Sequence, residues 1–206
     1  MEYHLAPDVH ACSSGDLIVF LDLGRDRYFA APGNVLELDA SLRRVRARAD
    51  DAGSWTTKLV SQGLVQESVP AAAAVLTPIT EPILPRPIAF TAALLWAAKA
   101  VDRPFALRPA LAMLQRRRAG SSLDPKVTAT EAALFASWRP LWPRAFVCLH
   151  DTLALRRFLA ARGSACDAVF GVQGRPFAAH CWAECEGVVL NDEPEYCASF
   201  DVILRA

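Results

Sequence analysis

Cys148, His180 and Asp192 are the residues whose types and spacing could do covalent chemistry. A thiol attacks best as a thiolate, which a helix N-terminus or a nearby imidazolium favours. Cys148 follows Val147 where a helical pattern begins: Leu149, Leu153, Leu155, Phe158 and Leu159 recur at helical spacing, and Gly163 supplies a stop. The N–H groups of such a helix start can also receive a developing oxyanion. His180 falls in a strand-like run over 178–184, and Asp192 ends another over 188–192. A three-residue loop, Cys185-Glu186-Gly187, with Gly187 left-handed would set residue 180 opposite 192. Opposed side chains have Cβ atoms about 4.5–5.5 Å apart. Asp192 would then hold one nitrogen of His180 and leave the other for Cys148, a nucleophile, base and orienter in sequence. A two-residue loop would pair Asp192 with Cys181 and turn it away from His180, making Glu184 or Asp151 the acid.

Taken singly, the three residues read as a buried thiol, a sheet histidine and a turn aspartate. Their order along a helix start and two strands favours chemistry. The remaining thiols have blander readings. Cys181 points to the opposite strand face from His180, Cys185 lies in the turn, and Cys12, Cys166 and Cys197 are small core or surface residues. A metal site from Cys148, His150, His180 and Cys185 is a lesser alternative, and neither a metal nor a cofactor is expected. Gly171-Val172-Gln173-Gly174 is too sparse in glycine to cradle phosphate.

The elements around this cluster follow from periodicity and punctuation. Strands are expected over 9–13, 16–22 and 27–31, the last two joined by turn chemistry at Gly24-Arg25-Asp26. Beyond Pro32-Gly33-Asn34, the spacing of Val35, Leu36, Leu38 and Leu42 predicts a helix. Arg43, Arg44, Arg46 and Arg48 would form its solvated face. A helix over 54–61, capped by Ser54 and stopped by Gly63, precedes a short extended piece at 64–66. Strands followed by small helices make residues 1–68 winged-helix-like. Residues 69–88 carry Pro70, Pro78, Pro82, Pro85 and Pro87 with an alanine run, and read as a linker. The third segment, 89–206, opens with helices near 89–101, 105–118 and 127–138, the second ended by Arg116-Arg117-Arg118 and Gly120. Trp138, Pro140, Trp142 and Pro143 make a rigid approach to Cys148, and the two tryptophans are candidate oxyanion donors. A strand over 165–170 precedes the His180 strand. The fold class is α+β.

The 206 residues suit one large domain or two small ones, and 53% of them are apolar, enough for a core. Basic and acidic residues balance at 22 each, without the basic excess of a nucleic-acid binder. The start, Met1-Glu2-Tyr3-His4-Leu5, lacks the basic head and apolar run of a signal peptide. The longest apolar runs fall short of the roughly 18 residues that span a bilayer. A cytoplasmic protein with reduced cysteines is expected, and the cysteine spacing does not give paired C-x-x-C motifs.

The segments Cys148-Leu149, Leu153-Ala154-Leu155, Phe170-Gly171-Val172, Ala179-His180, Trp182 and Asn191-Asp192 resemble the transglutaminase-like peptidase of lasso-peptide biosynthesis, the B protein of such clusters. The resemblance implies a transglutaminase/papain-like peptidase domain with Cys148, His180 and Asp192 as its triad, and Cys181 departs from the family's frequent alanine. Residues 17–22, Arg27-Tyr28-Phe29 and Gly63-Leu64-Val65 are similar to the precursor-recognition domain found in the same systems. That likeness implies leader binding at Arg27, Tyr28 and Phe29, with Trp55 and Leu59 on the facing helix. It also implies two partners: the leader segment of a lasso precursor and an ATP-dependent, asparagine-synthetase-like cyclase.

Overall fold

The computed structural model describes residues 2–48, 52–67, 83–102, 107–116, 124–145 and 147–206. Strands and helices are mixed as an α+β chain. Contacts group the described residues into two compact units, one drawn from 1–75, 171–179 and 200–204, the other from 76–170, 180–199 and 205–206. The segments 171–179 and 200–204, expected in the C-terminal domain, thus group with the N-terminal unit. The expected boundary after residue 68, with most of the linker, lies outside the described residues.

In the first unit, β1 (Glu2–Leu5), β2 (Val9–Ser14), β3 (Leu17–Asp22), β4 (Arg27–Pro32), β5 (Leu36–Leu38) and β6 (Arg44–Ala47) precede α1 (Ala52–Ser61) and β7 (Val65–Gln66). Strands β2, β3 and β4 form an antiparallel sheet in which Ala11, Phe20 and Phe29 face one another. Ile18 and Phe20 turn into a core with Leu5, Leu36, Leu59 and Leu64. Val19 and Leu21, on the other face, are only 0% and 1% exposed. On that face Tyr28 meets Phe177 at 5.6 Å between ring centroids, and the Cys12 thiol approaches the Asp201 carbonyl. Burial of both faces is why β3 reads as an unbroken apolar run without alternation. Gly174 permits a close approach here, since a β-carbon on it would stand 2.5 Å from the Ser14 carbonyl oxygen.

The helix expected over 35–42 is instead the hairpin of β5 and β6, in a sheet of order β5-β6-β1-β7. Its physical signal is period two: Leu36 and Val45 are buried while Glu37 and Arg46 face out. Asp39 closes the turn by accepting the N–H groups of Arg43 and Arg44 and the Ser41 hydroxyl, and Leu42 takes a left-handed φ of 54°. The arginine run is therefore strand and turn rather than a helix face, with Arg44 and Arg46 on Glu2 and Arg48 on Glu37. Among the described residues of 1–67, α1 is the one helix, set among seven strands.

The second unit contains α2 (Arg86–Val101), α3 (Leu107–Arg116), α4 (Pro125–Trp138), a 3₁₀ turn (Arg139–Leu141) and α5 (Cys148–Ala161). Along the chain then come β8 (Asp167–Gln173), β9 (Ala178–Cys185), β10 (Val188–Val189), α6 (Pro194–Cys197) and β11 (Asp201–Arg205), with sheet order β10-β9-β8-β11; residues 171–173 of β8, 178–179 of β9 and 201–204 of β11 group with the first unit. Helix α2 begins inside the expected linker because Pro87 is tolerated in a first turn. Arg117, Arg118 and Gly120, expected to end the second helix, lie outside the described residues. Ala89, Ala93 and Ala97 give α2 a buried face of small side chains, and α2 packs along α5. Phe90, Phe135 and Phe158 link α2, α4 and α5 through ring contacts of 5.2 and 5.5 Å. No helix among the described residues is long and apolar enough to cross a membrane.

Buried Glu131 on α4 ties the helices by charge. Arg86 donates to it from Nη2 at 2.8 Å, and the Arg162 guanidinium lies 3.5 Å away. The Arg86 bond outweighs burial and holds the Glu131 carboxyl below the usual glutamate range. A depressed folded-state pKa stabilises above the unfolded value of about 4.3 and loses that stabilisation as pH falls through the folded value. Glu131→Gln should lower stability at neutral pH by about 1–2 kcal/mol, less than a fully buried pair because Arg86 is half exposed. Paired melting curves of parent and variant should converge as pH drops below about 4; a constant gap would remove the electrostatic explanation.

Candidate functional site

Strand β9 positions His180, and the turn after it decides where Asp192 goes. Val188 pairs with Cys185 and Val189 with Glu184, so the loop is Glu186-Gly187 alone. Both residues are left-handed, φ 49° and 84°, as a two-residue primed turn requires. The three-residue loop expected from Gly187 is therefore wrong by one residue. A continued ladder would set Asp192 opposite Cys181, but β10 is only two residues long. The Leu190 N–H still bonds the Ala183 carbonyl; then the Asn191 side chain takes over. Its Oδ1 accepts the Ala183 N–H at 2.7 Å, and its Nδ2 donates to Thr152 Oγ1 at 3.1 Å. The main chain is freed to bend, and Asp192 Oδ2 reaches His180 Nε2 at 2.7 Å. The Glu193 N–H holds the other carboxylate oxygen at 2.8 Å.

Aromatic rings fix the imidazole. Trp182 stacks with it at 5.9 Å and an interplanar angle of 23°, and Tyr196 of α6 meets it edge-on at 5.1 Å. Further along β9, Trp182 Nε1 donates to Glu184, which also accepts from Arg205. Glu184 is thereby occupied and does not act as a substitute acid.

Cys148 is the first residue of α5 and is exposed, whereas the other five cysteines are buried. Thr152, one helical turn on, donates its hydroxyl to the Cys181 carbonyl at 3.0 Å, which brings the start of α5 alongside β9 next to His180. Burial pushes the Cys181 thiol up, with the charge of nearby Cys148 adding to the effect. That leaves Cys181 an inert core residue, as its strand face suggested. Asp151 braces the turn before Cys148. It accepts Arg139 Nε at 2.6 Å and the Val147 N–H at 3.2 Å, while Arg139 also donates to the carbonyls of Arg144 and Ala145. Burial opposes charge on Asp151, but the His150 and Arg139 hydrogen bonds outweigh it and keep the carboxyl low. His150 is fully buried on Asp151, so neither it nor Cys185, 4% exposed, joins the metal set that their spacing allowed. Trp138 packs on Phe90 at 5.6 Å between ring centroids, and the Trp142 indole nitrogen is buried without a hydrogen-bond partner among the described residues.

Cys197 is the member of the neighbourhood that sequence reading placed elsewhere. A ligand atom from each of His180, Asp192 and Cys197 lies within 4.8 Å of the others. The available signal was Pro194, which starts a short helix just after Asp192 and folds Tyr196 and Cys197 back.

The residues expected to bind a leader all lie in the first unit. Arg27 is exposed, Tyr28 rests on Phe177, Phe29 and Trp55 are half-buried against the core, and Lys58 lies over the Trp55 ring. Leu59 is 3% exposed and belongs to the core, so it is no surface contact. A cleft of about 780 Å³ in this unit, lined in part by Leu17, Ile18, Pro32, Leu36 and Arg48, contains none of the Cys148, His180 and Asp192 set.

Residues 89–205 match the model of the transglutaminase-like superfamily. A stretch of 56 residues is 39% identical to the microcin J25-processing protein McjB of Escherichia coli, covering 27% of this chain and 27% of that protein. No solved structure matches the chain.

Asn191 is a positioning residue on this geometry. Asn191→Ala should cost about 1–3 kcal/mol, because the Ala183 N–H loses its acceptor. In the still-folded variant, iodoacetamide should alkylate Cys148 more slowly than in the parent, and Asn191→Asp, which keeps an acceptor oxygen, should recover part of that rate. Equal rates in folded Asn191→Ala and parent would show that the residue only buttresses the strand.

Proposed function

The chain belongs to the transglutaminase-like superfamily, and from that membership we propose that it is a cysteine peptidase that removes the leader segment of a lasso-peptide precursor, with Cys148, His180 and Asp192 as its triad. The observation that carries this reading is the 2.7 Å bond between His180 Nε2 and Asp192; an exposed cysteine starts α5, the helix whose Thr152 bonds the carbonyl of Cys181 next to His180 in the chain. The stretch shared with the microcin J25-processing protein supports peptide processing as the task.

In the proposed reaction the Cys148 thiolate attacks the scissile carbonyl carbon, forming a C–S bond. The first-turn N–H groups of α5 suit the oxyanion. His180, through Nδ1, gives its proton to the departing amine as the C–N bond breaks, and Asp192 stabilises and orients the imidazolium. Water then attacks the thioester, His180 takes its proton, and the thiolate leaves with the carboxylate product formed. The amine end of the core peptide would pass to an ATP-dependent, asparagine-synthetase-like cyclase.

Leader binding is proposed at the outer edge of β4. That strand ends the β2-β3-β4 sheet, so an extended peptide could add there by main-chain bonds. Arg27, Tyr28 and Phe29 lie on this strand and Trp55 on α1; Leu59 drops out as a core residue.

Cys148→Ala should abolish cleavage of a labelled precursor while the full chain still binds it. His180→Ala should be nearly as severe, and Asp192→Asn should lower kcat by about 10²–10⁴-fold. Mass spectrometry of the products with an added amine separates hydrolysis from acyl transfer: a free leader carboxylate is expected, and an amine-coupled leader would reassign the triad to transfer chemistry. Tyr28→Ala, in the Cys148→Ala background, should weaken leader binding measured by fluorescence anisotropy; unchanged binding would move the leader away from β4.

A further inference from the structure

We propose that His180, Asp192 and Cys197 form a zinc-binding site that competes with the use of His180 as a base. Each residue offers one ligand atom within 4.8 Å of the other two, and the three come from β9, the bend after β10 and α6. Zinc accepts this nitrogen, oxygen and sulfur set, with bonds of roughly 2.0–2.3 Å that put tetrahedral ligands some 3–4 Å apart. The cluster therefore closes on the ion with small side-chain shifts: the 2.7 Å His180–Asp192 contact opens and Cys197 draws in. A thiolate and an imidazole favour zinc over magnesium or calcium, which prefer all-oxygen sites. Three protein ligands leave a fourth position for water or a substrate group.

The surroundings are those of a held site. Asp192 is anchored by the Glu193 N–H, and the imidazole is fixed between Trp182 and Tyr196. Cys197 is 3% exposed at the end of α6. As the S–Zn bond forms, the Cys197 Sγ–H proton passes to solvent. The inhibitory consequence rests on the peptidase reading above; the metal site itself does not.

The test uses the full chain carrying Cys148→Ala, so that the nucleophile cannot serve as a ligand. Equilibrium dialysis against Zn²⁺ should load one ion per chain. Co²⁺ in its place should give a thiolate-to-metal charge-transfer absorption. Adding Cys197→Ala should abolish that absorption and weaken Zn²⁺ binding by about tenfold or more, and Asp192→Asn should weaken it similarly. Cys197→Ser, close in size, repeats the measurement should the alanine variant not fold, and circular dichroism verifies both. Failure to bind Zn²⁺, or a charge-transfer band that survives loss of Cys197, overturns the site. With Cys148 restored, Zn²⁺ should inhibit precursor cleavage reversibly, with a chelator restoring the rate. If dialysis shows the ion bound but no cleavage occurs in its absence, the peptidase reading fails and the metal site stands.

Discussion

The Thr152 hydroxyl joins the two pieces of backbone that carry Cys148 and His180. It donates to the Cys181 carbonyl and accepts from Asn191 Nδ2, so one oxygen fixes helix α5, strand β9 and the segment leading to Asp192. Thr152 is fully buried, and in such a setting each of these bonds is costly to leave unmade. A threonine one turn beyond Cys148 lies on the same helix face, so the joint also sets the azimuth at which α5 presents its first residue. Valine there would keep the shape and lose both bonds.

This joint explains how a wrong register arrived at the right neighbour. The alternation argument placed Asp192 opposite His180 through a three-residue loop, yet the turn is Glu186-Gly187 and the ladder ends at Val189. Period-two reasoning assumes that a strand continues, and it cannot see a side chain replacing the backbone as the bonding partner. Asn191 does so: its amide satisfies the Ala183 N–H that a continued strand would have used. A bend at 191–192 then corrects a one-residue slip. Polar Asn and Asp at a strand end were visible signals of such a bend, but the contact with Thr152 required the third dimension.

Elsewhere, what could be read from sequence followed how strongly local pattern and tertiary context agreed. The α5 pattern of Leu149, Leu153, Phe158 and Leu159 ended at Gly163, and the helix closes at Ala161. Strands β3 and β4 were legible from apolar residues around a Gly-Arg-Asp turn. Val35–Leu42 was not, because four apolar residues fit helix and strand templates alike, and the arbiter is Asp39, whose carboxylate ties a turn. Strand β1 is short and gains meaning only from pairing with β6 and β7, both distant in sequence. Partners of that kind leave no trace in a local window.

Burial sorts the six cysteines into different chemistries. Cys12 is pushed up to about 12, chiefly by burial and then by Asp201, and Cys181 is driven up as well, so neither supplies thiolate at neutral pH. Cys148 differs in place rather than in type: it stands exposed at the start of a helix whose first turn is braced by Asp151 and Arg139. Cys197 belongs to neither group, since its environment suppresses the thiolate while its position puts sulfur beside the His180–Asp192 pair. A small apolar residue would fill a buried corner of α6 equally well. Sulfur adds affinity for a soft cation, and the same carboxylate that orients the imidazole in the absence of metal would then help to hold the ion.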